Sequence, residues 1–183
     1  MVLVADECRL EKESGAMRIW FPKGKQPTIK VDQDKEAISF YGALNVATGK
    51  EIACKAVRQT SEYTVKFLRK LEKIYQGKKV LLIWDGAPWH RGKVKDYLKE
   101  KNKKWKLELI YFPPYSPDLN SQEKVWKKAR EYCAHNSEDE FKFKIKNFYQ
   151  FIQCNKFTTN FLSHTIFQKT SSWTVCRIDR QNS

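Results

Sequence analysis

The segment from Lys79 to Trp84, KVLLIW, limits the possible folds of this chain more than any other segment. A strand with one solvated face alternates apolar and polar residues, whereas a strand buried on both faces is almost continuously apolar. This segment has the length of a strand, and the Asp85-Gly86 pair that follows it is a turn signal. It therefore predicts a strand that is buried on both faces, in a sheet that is covered by helices.

The strands and helices predicted elsewhere fit around this inner strand. Apolar runs predict strands at Val2 to Ala5, Ala16 to Phe21, Ala37 to Ala47, Glu51 to Val57 and Leu107 to Phe112, with the turn Thr48-Gly49-Lys50 joining the third and fourth. Helical spacing of apolar residues predicts helices over 61–76, 92–102, about Asn120 to Ala134, and a last stretch beginning at a capping box of Ser137 and Glu140. This order predicts an α/β fold in which an antiparallel meander leads into βαβαβ units, giving a mixed sheet flanked by helices.

The charge of the chain points to the class of its partner. Lys and Arg number 35 against 21 Asp and Glu, a net charge of +14 in 183 residues, which is the length of one domain. Such a balance favours a polyanion through counterion release, and a solvated basic surface is the alternative. No apolar run approaches the roughly 20 residues of a membrane helix, and MVLVADECRL meets an acid too early for a signal peptide. We therefore expect a cytoplasmic or nucleoid location, nuclear in a eukaryote, without secretion.

Two acids stand where predicted strands end. Asp6 closes the first strand and Asp85 closes the inner one, and strand ends beside a crossover are where α/β sheets bind ligands. A carboxylate at the rim of a dry core is costly unless it is paired or binds a cation; a cap in the Asp85-Gly86 turn is the alternative. His90, five residues after Asp85, is either a hydrogen-bonded loop histidine or a group near a substrate phosphate.

A third acid, Glu123, lies in the first turn of a predicted helix. Asn120 three residues earlier makes a capping-box pattern with it, so capping alone is an alternative to chemistry. Lys127 and Arg130 follow on the same helical face. That face is either a solvated ion-pair surface or a place where phosphates meet metal.

Three passages containing these acids form a recognisable series: VLVADE, IWDGAPWHRGKVKDYL and YFPPYSPDLNSQEKVW. In order and content they resemble the three catalytic motifs of the mariner-like DDE transposases and their bacterial insertion-sequence relatives. The intervening RIWFPKGKQPTI also resembles the family pattern, and the 38 positions between Asp85 and Glu123 agree with its spacing. The resemblance covers about residues 1 to 150.

The resemblance implies a ribonuclease H-like fold and a metal-dependent DNA transposase. Asp6, Asp85 and Glu123 would be the catalytic acids and would hold two Mg²⁺ or Mn²⁺ ions, with Asp6 bridging both. The reaction would be phosphodiester cleavage at transposon ends, followed by strand transfer into target DNA. Double-stranded DNA would be the partner, contacted by His90, Lys127 and Arg130, and the active form would be a homo-oligomer.

The resemblance also implies a division of the chain, with departures from the family. The catalytic domain would span 1–167, and 168–183 would be a tail without an assigned role. Ser121 and Gln122 stand where the family commonly has Pro and an aliphatic residue, and Gly86 where Asn is frequent. No helix-turn-helix region precedes the first motif, so we expect a fragment or a truncated gene. A nuclease without strand transfer and an inactive DNA-binding remnant remain alternatives.

Overall fold

A computed structural model gives the structure of residues 1–12, 36–100, 104–113, 116–134 and 140–158. Within these ranges lie five strands and four α-helices: β1 (Val2–Glu11), β2 (Ala37–Asn45), β3 (Glu51–Ala56), α1 (Ser61–Ile74), β4 (Lys79–Trp84), α2 (Lys93–Lys99), β5 (Lys106–Tyr111), α3 (Ser121–Ala134) and α4 (Phe141–Cys154). Short 3₁₀ helices precede α2 and α3, at Pro88–His90 and Pro117–Leu119. None of the helices in the described ranges is long and apolar enough to span a bilayer.

The five strands form one mixed sheet in the order β3-β2-β1-β4-β5. β1 pairs antiparallel with β2 on one side and parallel with β4 on the other, and β4 pairs parallel with β5. The predicted meander leading into βαβαβ units is therefore confirmed. β4 lies between β1 and β5, but the predicted burial on both faces is only partly met: Val80, Leu82 and Trp84 are buried, whereas Leu81 and Ile83 on the other face are half-buried.

Each face of the sheet carries its own apolar core. The core on the α1–α2 side includes Leu3, Tyr41, Phe67, Leu68, Leu71, Leu82, Trp84 and Trp105. The core on the α3–α4 side includes Cys8, Phe40, Leu44, Val125, Trp126, Phe148 and Ile152. Full burial of a large apolar side chain stabilises a fold by about 1.5–3 kcal/mol. Both faces of the sheet are thus fixed by helices, and alternate residues of β1 point into different cores.

Strand β1 is longer than predicted, and this changes the position of Asp6. The sequence predicted a strand that ends at Asp6, but β1 continues to Glu11. The prediction was wrong because Cys8 and Leu10, buried beyond Asp6, extend the alternation into the second core. Asp6 therefore lies in the middle of a central strand, directly opposite Gly42 of β2.

The predicted caps of the last two helices also differ from the structure. At α3 the Asn120 side chain accepts a hydrogen bond from the Gln122 N–H at 3.1 Å, whereas the Glu123 N–H donates to the Asn120 carbonyl. Asn120 thus caps the helix, as the pattern indicated, but its side chain accepts from the N–H of Gln122 rather than from that of Glu123. At α4 Glu140 occupies the N-cap position itself, and Ser137 lies outside the described residues, as does the predicted strand at Ala16 to Phe21.

The turn after β2 gives a test of the fold. Gly49 has φ +67°, and a Cβ there would lie 2.4 Å from the Phe157 carbonyl oxygen. Gly77 has φ +76°, but a Cβ would meet nothing within 4 Å. Gly77→Ala should cost about 1 kcal/mol for the left-handed backbone alone. Gly49→Ala should cost clearly more, because backbone must also move. Urea unfolding of both variants measures this; equal losses would contradict the packing of Gly49 against residue 157.

Candidate active site

Pairing of β1 with β4 brings the first two predicted acids to neighbouring places in the sheet. Val4 of β1 is the parallel partner of Ile83 of β4. Asp6 stands two residues further along β1, and Asp85 directly follows the end of β4. Asp6 belongs to the face that α3 covers, since Cys8, two residues after Asp6, belongs to the core beneath α3. The Asp85 side chain instead contacts His90, which stacks on Trp84 of the other core.

Asp6 is the most perturbed acid of this group. Its residue is only 9% exposed, and its Oδ2 atom is buried without a hydrogen-bond partner among the described residues. Burial raises the pKa of Asp6 to about 8, helped by the negative charges of Glu123, Glu7 and Asp85. The ionised form of a carboxyl group that is buried, surrounded by acids and short of hydrogen-bond donors is unfavourable. A cation bound among these acids would offset that cost.

Glu123 approaches Asp6 from the helix above the sheet. It lies in the first turn of α3, is exposed, and its charge is the largest electrostatic contribution to the raised pKa of Asp6. The buried residues of α3 on either side, Gln122 and Val125, pack towards the sheet. The helix therefore holds Glu123 at the margin of the site, with one side open to solvent.

Asp85 occupies the turn after β4, with its side chain 48% exposed. One oxygen, Oδ1, accepts a hydrogen bond from the Ala87 N–H at 3.1 Å and lies 3.2 Å from His90 Nδ1. The hydrogen bond from His90, with that of the Ala87 amide, lowers the pKa of Asp85 although partial burial opposes it. Asp85 is therefore an anion beside an Asp6 that is protonated at neutral pH. The turn-cap alternative and a role at the site are both compatible with this geometry.

His90 is a buried residue that joins two acids. It is 2% exposed and stacks on Trp84 with ring centroids 4.0 Å apart. Nε2 lies 2.8 Å from Glu7 Oε1, and Nδ1 lies 3.0 Å from the backbone carbonyl of Asp85. Since both nitrogens face acceptors, the imidazolium form satisfies both. Burial lowers the pKa of His90, but the bonds to Asp85 and Glu7 outweigh it and raise the pKa to about 9.

The structure thus agrees with one of the two interpretations of His90, that of a hydrogen-bonded loop histidine. A contact with a DNA phosphate stays an untested prediction, and 2% exposure leaves little surface for it. Sequence reasoning missed Glu7, whose side chain is 5% exposed. The signal was its position: an acid between Ala5 and Cys8 in an apolar strand needs a buried partner.

Three side chains that can ligate a metal come together within the described ranges, but they are not the predicted triad. They are those of Glu7, Asp85 and His90, whose ligand atoms all lie within 4.8 Å of one another. The physical reason is charge: carboxylates repel one another, and Asp85 is drawn to His90 instead. The charges of Glu123 and Asp85 both raise the pKa of Asp6. The role of these three acids as metal ligands stays a prediction.

Lys127 and Arg130 lie where the helical spacing placed them. Both are exposed on α3, on the same side of the helix as Glu123. Arg130 Nη2 also donates to Cys8 Sγ at 3.1 Å, so its guanidinium reaches back to β1. This contact holds one positive charge close to the strand that carries Asp6.

Comparison with known proteins identifies relatives of this chain. The family described as DDE superfamily endonuclease matches residues 1–144, more than half of the chain. The "Insertion element IS630 uncharacterized 39 kDa protein" of Shigella sonnei is 28% identical over 119 residues, which are 64% of this chain and 34% of that protein. The chain therefore spans about a third of the length of this curated relative.

Comparison with solved structures finds similar chains at low sequence identity. A chain of the simian T-cell lymphotropic virus intasome in complex with PP2A regulatory subunit B56 gamma is 10% identical with a TM-score of 0.51, over 81% of this chain and 47% of that one. The Mos1 mariner paired end complex with Mn is 17% identical with a TM-score of 0.48, over 82% and 52%. The catalytic core domain of BIV integrase is 13% identical with a TM-score of 0.48, over 85% and 83%. The predicted ribonuclease H-like fold is confirmed.

The raised pKa of Asp6 predicts how stability depends on pH in a chelator. The folded state holds the Asp6 proton up to about pH 8, whereas the unfolded state releases it near pH 4. The contribution of Asp6 to the free energy of unfolding is therefore fully present below pH 4. It is lost as pH rises through the folded pKa of about 8, by up to about 1.4 kcal/mol per pH unit. Urea unfolding in EDTA at pH 6 and pH 8 should show this loss. Asp6→Asn should reduce it, and an identical loss in this variant would contradict the assignment.

Proposed function

Because the chain belongs to the DDE superfamily endonuclease family, we propose that it is the catalytic domain of a DNA transposase. It would cleave phosphodiester bonds at transposon ends and transfer the freed strand into target DNA. The observation that supports this best is the buried Asp6 carboxyl, whose pKa is raised by burial and by the charges of Glu123, Glu7 and Asp85. An acid held at such a cost, in the family's first motif, fits a cation site.

Asp6, Asp85 and Glu123 are the proposed ligands of two Mg²⁺ or Mn²⁺ ions. Their oxygen atoms suit hard divalent cations, and the unpartnered Oδ2 of Asp6 fits a metal ligand. Such ions, when bound, lower the pKa of the attacking water or 3′-hydroxyl and stabilise the leaving oxygen. The charges of Asp85, which follows β4, and of Glu123, on α3, both act on Asp6, so the three acids would hold such ions together. The mariner Mos1 paired end complex has been solved with Mn and with Mg.

The surrounding residues determine how these acids are presented. His90 donates to Asp85 and Glu7 and so keeps the Asp85 side chain next to the sheet, where it stays ionised. Burial keeps bulk water away from Asp6, while the exposed Glu123 and the half-exposed Asp85 leave the side towards solvent open. A DNA backbone would enter from that side. His90 is therefore proposed as a positioning residue for Asp85 rather than as a phosphate ligand.

The exposed face of α3 is the proposed DNA surface next to the acids. Lys127 and Arg130 stand on the same side of the helix as Glu123, in a chain of net charge +14. Positive side chains attract phosphates without reading bases, which fits a catalytic surface that must accept any target. We propose double-stranded DNA as the partner and a homo-oligomer as the active form.

Divalent metal should stabilise the protein through these acids. Saturating Mn²⁺ should raise the melting temperature by about 5 °C or more, since a ligand at 100 times its Kd adds about 2.7 kcal/mol. Asp85→Asn should lose most of that gain and most Mn²⁺-dependent nicking of supercoiled plasmid. Asp96→Asn, an exposed acid on α2 across the sheet, is the matched control and should behave as wild type. A melting temperature that Mn²⁺ leaves unchanged in wild type would contradict the proposed function.

Removing the two positive charges of α3 should weaken binding to every duplex tested. Lys127→Gln/Arg130→Gln should reduce the slope of log affinity against log salt by up to about two units. Lys95→Gln/Lys99→Gln removes the same charge from exposed positions of α2 and is the control. Fluorescence anisotropy over a salt series measures both. If the two double variants change binding equally, net charge rather than this face of α3 accounts for the affinity.

A further inference from the structure

A buried polar pair lies beneath the candidate site and has no place in the chemistry proposed above. Gln122 Nε2 donates to Glu51 Oε1 at 2.9 Å, between residues 71 positions apart in the chain. Gln122 is 0% exposed and Glu51 4% exposed. The bond links the first turn of α3 to the start of β3, the far edge of the sheet.

The pair fits into a space that only glycine leaves open. A Cβ on Gly42 would lie 2.4 Å from Glu51 Oε1, 2.6 Å from Gln122 Nε2 and 2.4 Å from Trp126 Cη2. Each of these distances is too short for a real contact, so any larger residue would displace the pair. Gly42 of β2 is also the strand partner of Asp6. The hydrogen bond therefore lies over Gly42, next to the strand position of Asp6.

Each member of the pair is next to a candidate metal ligand. Gln122 precedes Glu123, so the position of the Gln122 side chain fixes the first turn that carries Glu123. Burial is the main cause of the raised pKa of Glu51, and the charge of an ionised Asp6 raises it further, so the two carboxyl groups are neighbours. The three elements that the pair holds together are β3, the glycine of β2 and the start of α3.

Packing alone does not account for this pair. Glu51 Oε2 and Gln122 Oε1 are buried without hydrogen-bond partners among the described residues. Each such atom costs about 1–3 kcal/mol, and an apolar pair of similar volume would be equally or more stable. What a hydrogen bond adds over apolar contact is direction: it fixes one position of α3 along the sheet.

We propose that Glu51 and Gln122 are positioning residues that hold the first turn of α3 so that Glu123 stands beside Asp6 for joint cation binding. The inference rests on the proposed function, because it assigns the pair to the same cation site. Neither residue touches the substrate, and both act through Glu123. Gly42 provides the space in which they meet.

Isothermal titration with Mn²⁺ alone tests this on the full chain. Glu51→Leu/Gln122→Leu removes the hydrogen bond without leaving either side chain of the pair unpartnered. It should remain folded with at least wild-type stability yet bind Mn²⁺ about tenfold more weakly, the usual effect of losing groups that orient ligands. Glu51→Gln keeps an acceptor at the same place and should retain wild-type affinity. Gln122→Asn, one methylene too short, should also weaken binding.

Two controls separate positioning from general stability. Tyr97→Phe removes the 2.8 Å hydrogen bond to Glu72 in the other core and should lower stability without changing Mn²⁺ affinity. Hydrogen exchange without metal gives a second measurement: amides at the start of α3 should exchange faster in the double Leu variant and not in Glu51→Gln.

The outcomes distinguish the two proposals. Wild-type affinity in a folded double Leu variant, or in Gln122→Asn if the double variant does not fold, would overturn the positioning role alone. Weak binding by Glu51→Gln together with unchanged exchange would also overturn it, since the hydrogen bond would then not be the cause. If wild-type protein binds no Mn²⁺, or if Asp6→Asn and Asp85→Asn bind it as wild type does, the proposed function fails, and this inference fails with it.

Discussion

The burial of one carboxyl group, that of Asp6, is the constraint on which the rest of this structure depends. Asp6 lies in the middle of the central strand, paired with Gly42 of β2 on one side and two residues beyond the last partner of β4 on the other, and 9% of it is exposed. Desolvation alone would favour an apolar residue here. The strand tolerates Asp6 because it stays protonated at neutral pH without a cation, with a pKa of about 8. Cation binding would replace that proton with positive charge.

Two sets of polar contacts on opposite faces of the sheet hold the other acids in relation to Asp6. On the α1–α2 side His90 stacks on Trp84 and joins Glu7 to Asp85. On the α3–α4 side the Glu51–Gln122 bond ties α3 to the sheet. Asp6 and Glu7, adjacent in β1, thus point to opposite faces of the sheet. Asp6 faces the candidate site, and Glu7 binds His90 on the other face. Changes to either set should act on the site without touching substrate.

The site is buried on one side and open on the other. Asp6 is enclosed, whereas Asp85 is half exposed and Glu123 is exposed beside Lys127 and Arg130. The low dielectric around the buried Asp6 would strengthen its interaction with the proposed cation, and the exposed, basic side of the site would admit the proposed phosphate backbone. This arrangement fits the proposed function, and the match of the chain to the DDE superfamily endonuclease family agrees with it.

The sequence by itself determined the inner strand Lys79–Trp84, the order of elements and the mixed sheet, because apolar periodicity is a local property of the chain. Three motifs in order also predicted Asp6, Asp85 and Glu123 as the catalytic acids, and that role stays a prediction. Tertiary structure decided the rest. The extension of β1 beyond Asp6 depends on Cys8 and Leu10 finding a core under α3 and α4. Glu7 and His90, separated by 83 positions, meet only when β1 and β4 pair. In the sequence Gln122 was only a departure from the family pattern, and its bond to Glu51 exists because Gly42 leaves room where β2 and α3 meet. Such contacts join residues far apart in the chain, and no local pattern encodes which buried polar groups will satisfy one another.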